Sequence, residues 1–308
     1  MTDAADRAPD RAPDRAPDRA PDRPLRGILL LCLAVFGFVC MDTLSKAAIA
    51  SLPVIQVLWA RFSIHLLAVS LALKLSGKRL PPISRRPGLQ AVRSLTLALC
   101  NFCFTSALAF IPLAEATSIN FIGPLFVLLL AGWWLKEPIG WRRWVAVAAG
   151  LVGVLVIMRP GMGVTHPAAL LVVACAALFA CYQVMTRLLA RHDDALTTIF
   201  HTGVAASVVT SLVVPFFWVM PSPGQALMLV LIGALGGLGH YLLILAYSSA
   251  PASLLAPLSY SQLIWATALG WLAFGDLPDL ATLAGGAIIA AGGLLSLSEG
   301  RKLSAKPS

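Results

Sequence analysis

The stretch GILLLCLAVFGFVCMDTLSK, residues Gly27–Lys46, decides the fold. From Gly27 to Met41 it has no charged side chain, and Asp42 and Lys46 come only at its end. About 20 apolar residues in a helix cross the ~30 Å hydrocarbon layer of a bilayer. The stretch therefore reads as a transmembrane helix. The rest of the chain has the same character: 58% of the 308 residues are hydrophobic and 12% charged, with mean hydropathy +0.84. A soluble domain is roughly 45–50% apolar and about 25% charged, so a soluble globular protein is excluded.

Outward from this stretch, ten apolar segments follow one another: 27–50, 54–75, 89–110, 114–135, 141–159, 168–190, 196–219, 225–248, 252–274 and 280–298. Each is long enough to span with some tilt. Pro, Gly or charge marks the breaks, as at Pro53, Pro81-Pro82, Pro112, Glu137-Pro138, Pro221, Pro251 and Asp276-Leu-Pro278. Ahead of them, residues 1–24 repeat Arg-Ala-Pro-Asp and lack apolar anchors, which predicts a disordered tail. The late start of the first apolar run argues against a cleaved signal peptide.

The net charge of +9 belongs to the loops and not to a nucleic-acid surface. With the N-terminus in the cytoplasm, the inner loops hold Lys74, Lys78, Arg79, Arg85, Arg86, Lys136, Arg142, Arg143, Arg187 and Arg191, and the C-terminal tail adds Arg301, Lys302 and Lys306. The outer loops hold Arg159, Asp276 and Asp279. The positive-inside bias thus predicts both termini in the cytoplasm of a bacterial-type inner membrane. The six cysteines lie inside apolar runs and read as small buried hydrophobes. Cys100-Asn-Phe-Cys103 has no second pair or ligand histidine beside it, so no metal is expected.

A shift of 141 carries Gly27–Lys46 onto AALLVVACAALFACYQVMTR, residues 168–187. Asp42 falls on Gln183 and Ser45-Lys46 on Thr186-Arg187; further on, where the shift is about 137–139, Gly132-Trp133 falls on Gly270-Trp271, Glu137 on Asp276 and Gly153 on Gly292. The chain therefore reads as an all-α polytopic membrane protein of ten transmembrane helices in two five-helix repeats, 25–160 and 161–298, with a tail at 299–308. Five crossings is an odd number, so the second repeat must be inverted. Inverted repeats build two interconvertible states around one midplane site.

The landmarks resemble the ten-helix, EamA-type branch of the drug/metabolite transporter superfamily. They are Met41-Asp-Thr-Leu-Ser-Lys46, Gln56-Val-Leu-Trp-Ala-Arg61, Gly123-Pro124-Leu-Phe, Leu135-Lys-Glu137-Pro, Trp141-Arg-Arg-Trp144, Gly150-Leu-Val-Gly153 through Arg159-Pro-Gly161, and Ala180-Cys-Tyr-Gln-Val-Met-Thr-Arg187. The resemblance covers about residues 26–298. It implies a central cavity, alternating access and a metabolite cargo; such carriers move amino acids, nucleotide-related metabolites, riboflavin, S-adenosylmethionine, metallophores and drugs. One departure is Asp276 where the second-half match to Glu137 stands.

Polar groups within a span are costly, so they face a cavity or a partner. By this criterion the candidate substrate contacts are Lys46, Arg61, Asn101, Ser118, Asn120, Tyr182, Gln183, Tyr260 and Gln262, with His65, His201 and His240 also inside spans. Asp42 and Glu115 are the in-span acids available to couple a proton. Asp42 and Lys46 lie one turn apart and form either a self-neutralising pair or a substrate contact. Arg61 takes either Asp42 or Glu115 as a structural partner, or binds substrate. Arg93 and Arg187, near inner ends, can snorkel or take a gating or binding role. Pro124 and Pro257 interrupt the fourth and ninth segments at matching positions, the best sequence pointer to a binding site in inverted repeats.

The function expected is a secondary transporter of a small polar organic metabolite. In-span cations outnumber acids, which favours a carboxylate-bearing cargo. Export of an amino acid or amino-acid-derived compound, metallophore-like ones included, comes first, and uptake of riboflavin or S-adenosylmethionine second. No ATP-binding loop, paired-aspartate cluster or H-E-x-x-H appears, so neither a cofactor nor an intramembrane enzyme is expected, and a channel is the remaining distant class. The partners are the substrate, the lipid bilayer and a proton.

Overall fold

The computed structural model describes residues 24–75, 77, 84–134, 141–159, 166–189, 192–193, 195–250 and 255–304. The Arg-Ala-Pro-Asp tail through residue 23, Lys78, Arg79, Pro81-Pro82, the Leu135–Pro138 motif, Gly161, Arg191, Asp194, Pro251 and Lys306 lie outside the described residues. The helices are α1 Pro24–Ile49, α2 Val54–Leu75, α3 Pro87–Ala107, α4 Leu113–Asn120, α5 Gly123–Trp134, α6 Trp141–Met158, α7 Ala169–Leu189, α8 Ala195–Val213, α9 Pro223–Ser249, α10 Ser261–Phe274 and α11 Leu280–Ser304. Short 3₁₀ turns cover Val214–Phe217 and Ala256–Tyr260. Among the described residues there is no strand.

The helix starts follow from local chemistry. Proline opens α1, α3 and α9, where its missing N–H is no loss. Ser222 and Gln225 form a reciprocal capping box at α9. Two crossings are broken. The fourth bends at Phe121–Ile122, between α4 and α5, and Pro124 follows at once. In the described part of the ninth, Leu255 is α-helical, the 3₁₀ turn that contains Pro257 follows, and the α-helix resumes at Ser261. Each broken pair counts as one crossing, which gives ten. The seventh segment ends earlier than its composition suggests, because Pro215 converts it to a 3₁₀ turn after Val213. α11 runs past residue 298 to Ser304, since the polar residues there are ordinary helix formers once the chain leaves the bilayer.

Helix contacts carry the inverted repeat. If the halves are exchanged, α1 becomes α7, α2 becomes α8, α3 becomes α9 and α6 becomes α11. The pairing of α1 with α9 then maps onto that of α7 with α3, and α2 with α9 onto α8 with α3; each of these pairs is packed. α5 on α7 maps onto α10 on α1, again both packed. α2 packs on α8 and α6 on α11, each against its own counterpart.

The α6–α11 crossing is close because both helices are bare there. A Cβ on Gly153 would lie 2.7 Å from the Gly285 carbonyl oxygen, and one on Gly285 2.5 Å from that of Gly153. Small residues let membrane helices approach to backbone contact. Gly233 likewise admits Ile64 and the Ala60 carbonyl of α2. Large apolar side chains such as Leu29, Leu33, Leu67, Leu71, Leu151 and Leu155 face outward, as a lipid-facing surface requires. Trp141 and Trp144 are exposed at the start of α6, consistent with interfacial anchoring.

Candidate functional site: a charged cavity between the halves

A cavity of about 300 Å³ lies between the two halves. Its walls come from α1, α2, α3, α7, α8 and α9, and both broken crossings reach it, through Asn120 at the end of α4 and Gln262 at the start of α10. The lining carries one acid, Asp42, one guanidinium, Arg61, and two imidazoles, His65 and His240. Asn101, Asn120, Gln262, Thr202 and Tyr182 supply amides and hydroxyls, and Phe38, Phe62, Phe104 and Phe179 supply aromatic wall. Largely apolar walls with a few convergent polar groups are what ligand sites share.

Asp42 on α1 and Arg61 on α2 attract each other electrostatically. Neither makes an ion pair or a side-chain hydrogen bond among the described residues. Two opposite charges thus share the cavity with their hydrogen-bonding positions open. Gly236 on α9 makes the room: a Cβ there would meet the Met41 sulfur at 3.2 Å and Arg61 Nε at 4.0 Å. His240 packs edge-on against His65, ring centroids 5.8 Å apart, and against Phe38 at 5.0 Å. Cys100 on α3 and Cys175 on α7 meet sulfur to sulfur at 3.1 Å in the wall, and the Cys175 thiol approaches Asn120 Oδ1 at 3.7 Å.

Several expected contacts lie elsewhere. Lys46 neither pairs with Asp42 nor lines the cavity. Its ammonium donates to Asp276 Oδ2 at 3.0 Å and to the Ile111 carbonyl at 2.9 Å, over the Phe274 ring. The i, i+4 spacing cannot show this, because the competing acid is 230 residues away. Ser118 is buried beside Gly286 and gives its proton to the Ala114 carbonyl at 2.8 Å. Gln183 is exposed on α7, since the lining face of that helix is the one with Cys175, Phe179 and Tyr182. Tyr260 lies against Phe121, centroids 4.8 Å apart, so the two helix interruptions touch each other outside the cavity. Glu115 is half-buried in the first turn of α4 and is not part of the wall. Pro124 is exposed.

Arg93 is the largest correction. It does not snorkel: it is 2% exposed. Its Nε donates to Thr186 Oγ1 at 2.6 Å, Nη1 to Thr202 Oγ1 at 2.6 Å and Nη2 to Tyr182 Oη at 2.7 Å. Its guanidinium also lies over the Tyr182 ring at 4.3 Å. The signal was present as hydroxyls in apolar segments, Tyr182, Thr186 and Thr202, but one sequence does not say which cation they face.

Polar contacts join the two halves at both ends. At the end where α1, α3 and α6 finish, Lys46 pairs with Asp276 and Arg159 with Asp279. There Gln56 also holds the backbone of Val219 through both its carbonyl, at 2.8 Å, and its N–H, at 3.0 Å. At the opposite end Asp193 accepts from the Ser84 hydroxyl and the Arg85 N–H, and Gln90 donates to the Thr198 carbonyl at 3.1 Å.

The pattern of the EamA-like transporter family matches residues 25–159 and again 166–298. An S-adenosylmethionine uptake transporter of Rickettsia felis is 29% identical over 248 residues, 80% of this chain and 84% of that one. A riboflavin transporter of Vibrio cholerae is 29% identical over 271 residues, 86% and 91% of the two chains. A pseudopaline exporter of Pseudomonas aeruginosa is 30% identical over 267 residues, 85% and 93%. A crystal structure at 21% identity aligns over 92% of this chain and 98% of its own, with a TM-score of 0.62, a likeness of fold.

Proposed function

Because the chain belongs to the EamA-like transporter family, whose relatives carry small molecules across membranes, we propose that its cargo is an amino-acid-type zwitterion held between Asp42 and Arg61. The observation that carries this reading is the unpaired opposite charges in one cavity. Arg61 offers a planar fork to a carboxylate, and Asp42 an acceptor to an ammonium. S-adenosylmethionine has such an amino-acid end. Alternating access would expose the pair to each side in turn as the contacts at one end open and those at the other hold.

The test is counterflow in proteoliposomes with labelled L-methionine. Blocking either charge, as the methyl ester or the N-acetyl compound, is expected to abolish competition. Equal competition by both blocked compounds and the parent would overturn the reading. A planar-ring cargo is the second reading, favoured by the aromatic wall of Phe38, Phe62, Phe104 and Phe179; competition by riboflavin alone would select it.

In this reading Asp42 is also the proton-coupling acid, since ammonium and proton would compete for one carboxylate. Arg61, His65 and His240 share its cavity. A pH gradient would then drive net transport in wild type and not in Asp42→Asn. Export is the direction we propose, with both termini cytoplasmic. A compound accumulating inside a deletion strain reads as export, and one left unused in the medium as uptake.

A further inference from the structure

Arg93 carries a charge for which the described residues provide no counter-ion. Its three partners are all neutral hydroxyls. Isolated buried charges are costly, and buried charges are ordinarily paired. The direction of each hydrogen bond is fixed. Thr202 Oγ1 gives its proton to the Thr198 carbonyl and Thr186 Oγ1 gives its proton to the Tyr182 carbonyl, each at 2.7 Å. Both threonines therefore present only lone pairs to the guanidinium. Tyr182 differs. Its oxygen accepts from Arg93, and among the described residues no acceptor takes its own proton. Tyr182 and Thr202 line the cavity, while Arg93 lies behind them.

We propose that Tyr182, polarised from behind by Arg93, is an anion-binding point in the cavity, separate from Arg61, for a second carboxylate or similar anionic group on the cargo. A phenol already accepting from a cation is a stronger donor, because hydrogen bonds in a chain polarise one another. The buried guanidinium adds long-range attraction where the surroundings screen it least. Arg93 acts here as a positioning residue and Tyr182 as the contact. That the cargo is consequently an acidic amino-acid compound rests on the zwitterion reading above.

The test is counterflow with L-glutamate, L-glutamine and succinate in wild type, Tyr182→Phe and Arg93→Gln. Glutamate and glutamine share the zwitterionic head and differ in one charge. Wild type is expected to prefer glutamate in kcat/KM by about tenfold, the size of one charge-assisted hydrogen bond. Tyr182→Phe, which keeps the ring, is expected to erase that preference, and Arg93→Gln to do the same if it inserts. A purely structural role would lower both amino acids in parallel and leave the ratio intact, which overturns the proposal. An unaltered ratio in Tyr182→Phe overturns it as well. Recognition of succinate alone, lost in Tyr182→Phe, would uphold the anion point and overturn the zwitterion reading. Glutamate and glutamine carried equally well would overturn the anion point and leave the zwitterion reading standing. Recognition of none of the three overturns both.

Discussion

The Lys46–Asp276 pair bridges the halves at one end of the cavity, and breaking it should let that end open. The charges are 3.0 Å apart, which at an effective dielectric constant of 20 is about 5 kcal/mol of attraction. Desolvation opposes most of this. Exposed pairs are worth about 0.2–1 kcal/mol net, and removing one partner of a fully buried pair costs about 3–5 kcal/mol. Side-chain exposures of 15% and 32% put this pair between those limits, and the Ile111 carbonyl keeps one bond to Lys46 in any Asp276 variant. Asp276→Asn should therefore cost about 1–3 kcal/mol, which shifts a two-state equilibrium by about 5- to 150-fold. The assay is the rate at which a membrane-impermeant maleimide, applied from the Lys46 side, labels Cys100 as the single remaining cysteine in the cavity wall. Asp276→Asn should speed labelling within that range. The swap Lys46→Asp with Asp276→Lys should bring the rate back to within about threefold of wild type, since it restores the attraction. A rate in Asp276→Asn equal to wild type, or a swap as fast as Asp276→Asn, would refute the reasoning.

Three further outcomes follow from other contacts. Gln56→Leu removes the buried amide that holds the carbonyl and N–H of the exposed residue Val219 and should lower stability by about 1–3 kcal/mol, the net size of two hydrogen bonds, read as a fall in the thermal unfolding midpoint in detergent. Gly153→Leu should force α6 from α11 and cost more than the ~1–3 kcal/mol of ordinary overpacking, because beside the Ile289 side chain a Cβ there meets the Gly285 carbonyl at 2.7 Å, backbone that cannot swing aside; Gly37→Leu, with open space around it, is the control. Asp279 caps α11 by accepting from the Thr282 N–H at 2.8 Å. That bond first, with Arg159 beside it, holds its carboxyl below the usual carboxylate range. A depressed folded-state value stabilises above the unfolded pKa of about 3.9 and is lost as pH falls through the lower folded value. Asp279→Ala should thus lower the unfolding midpoint at neutral pH and flatten its acid dependence below about pH 4, which a pH series of unfolding curves checks.

The architecture was legible because the bilayer imposes it. Length and polarity alone mark runs such as Gly27–Met41, and the pairing of Pro124 with Pro257 marks the two crossings that break. Within the site, Asp42, Arg61, Asn101, Asn120, Tyr182 and Gln262 were readable as polar groups in apolar segments, and all line the cavity. What one sequence does not contain is rotation about each helix axis and the partner across the fold. Lys46 therefore reads as a partner of Asp42 one turn away or as a substrate contact, and not as the partner of Asp276. Arg93 reads from its position either as a snorkelling cation or as a gating or binding one, and the three hydroxyls from α7 and α8 that hold it indoors come from distant segments.

The exchange-related helix contacts also speak about ancestry. Two copies of one five-helix chain, inserted opposite ways up, would make each of those contacts as an antiparallel dimer, with α2 and α6 meeting their twins on the axis. Fusing the copies into one polypeptide frees them to diverge. Asp42 and its counterpart Gln183 display that freedom: one copy carries an acid in the cavity wall, and the other a neutral amide on the exposed side of its helix.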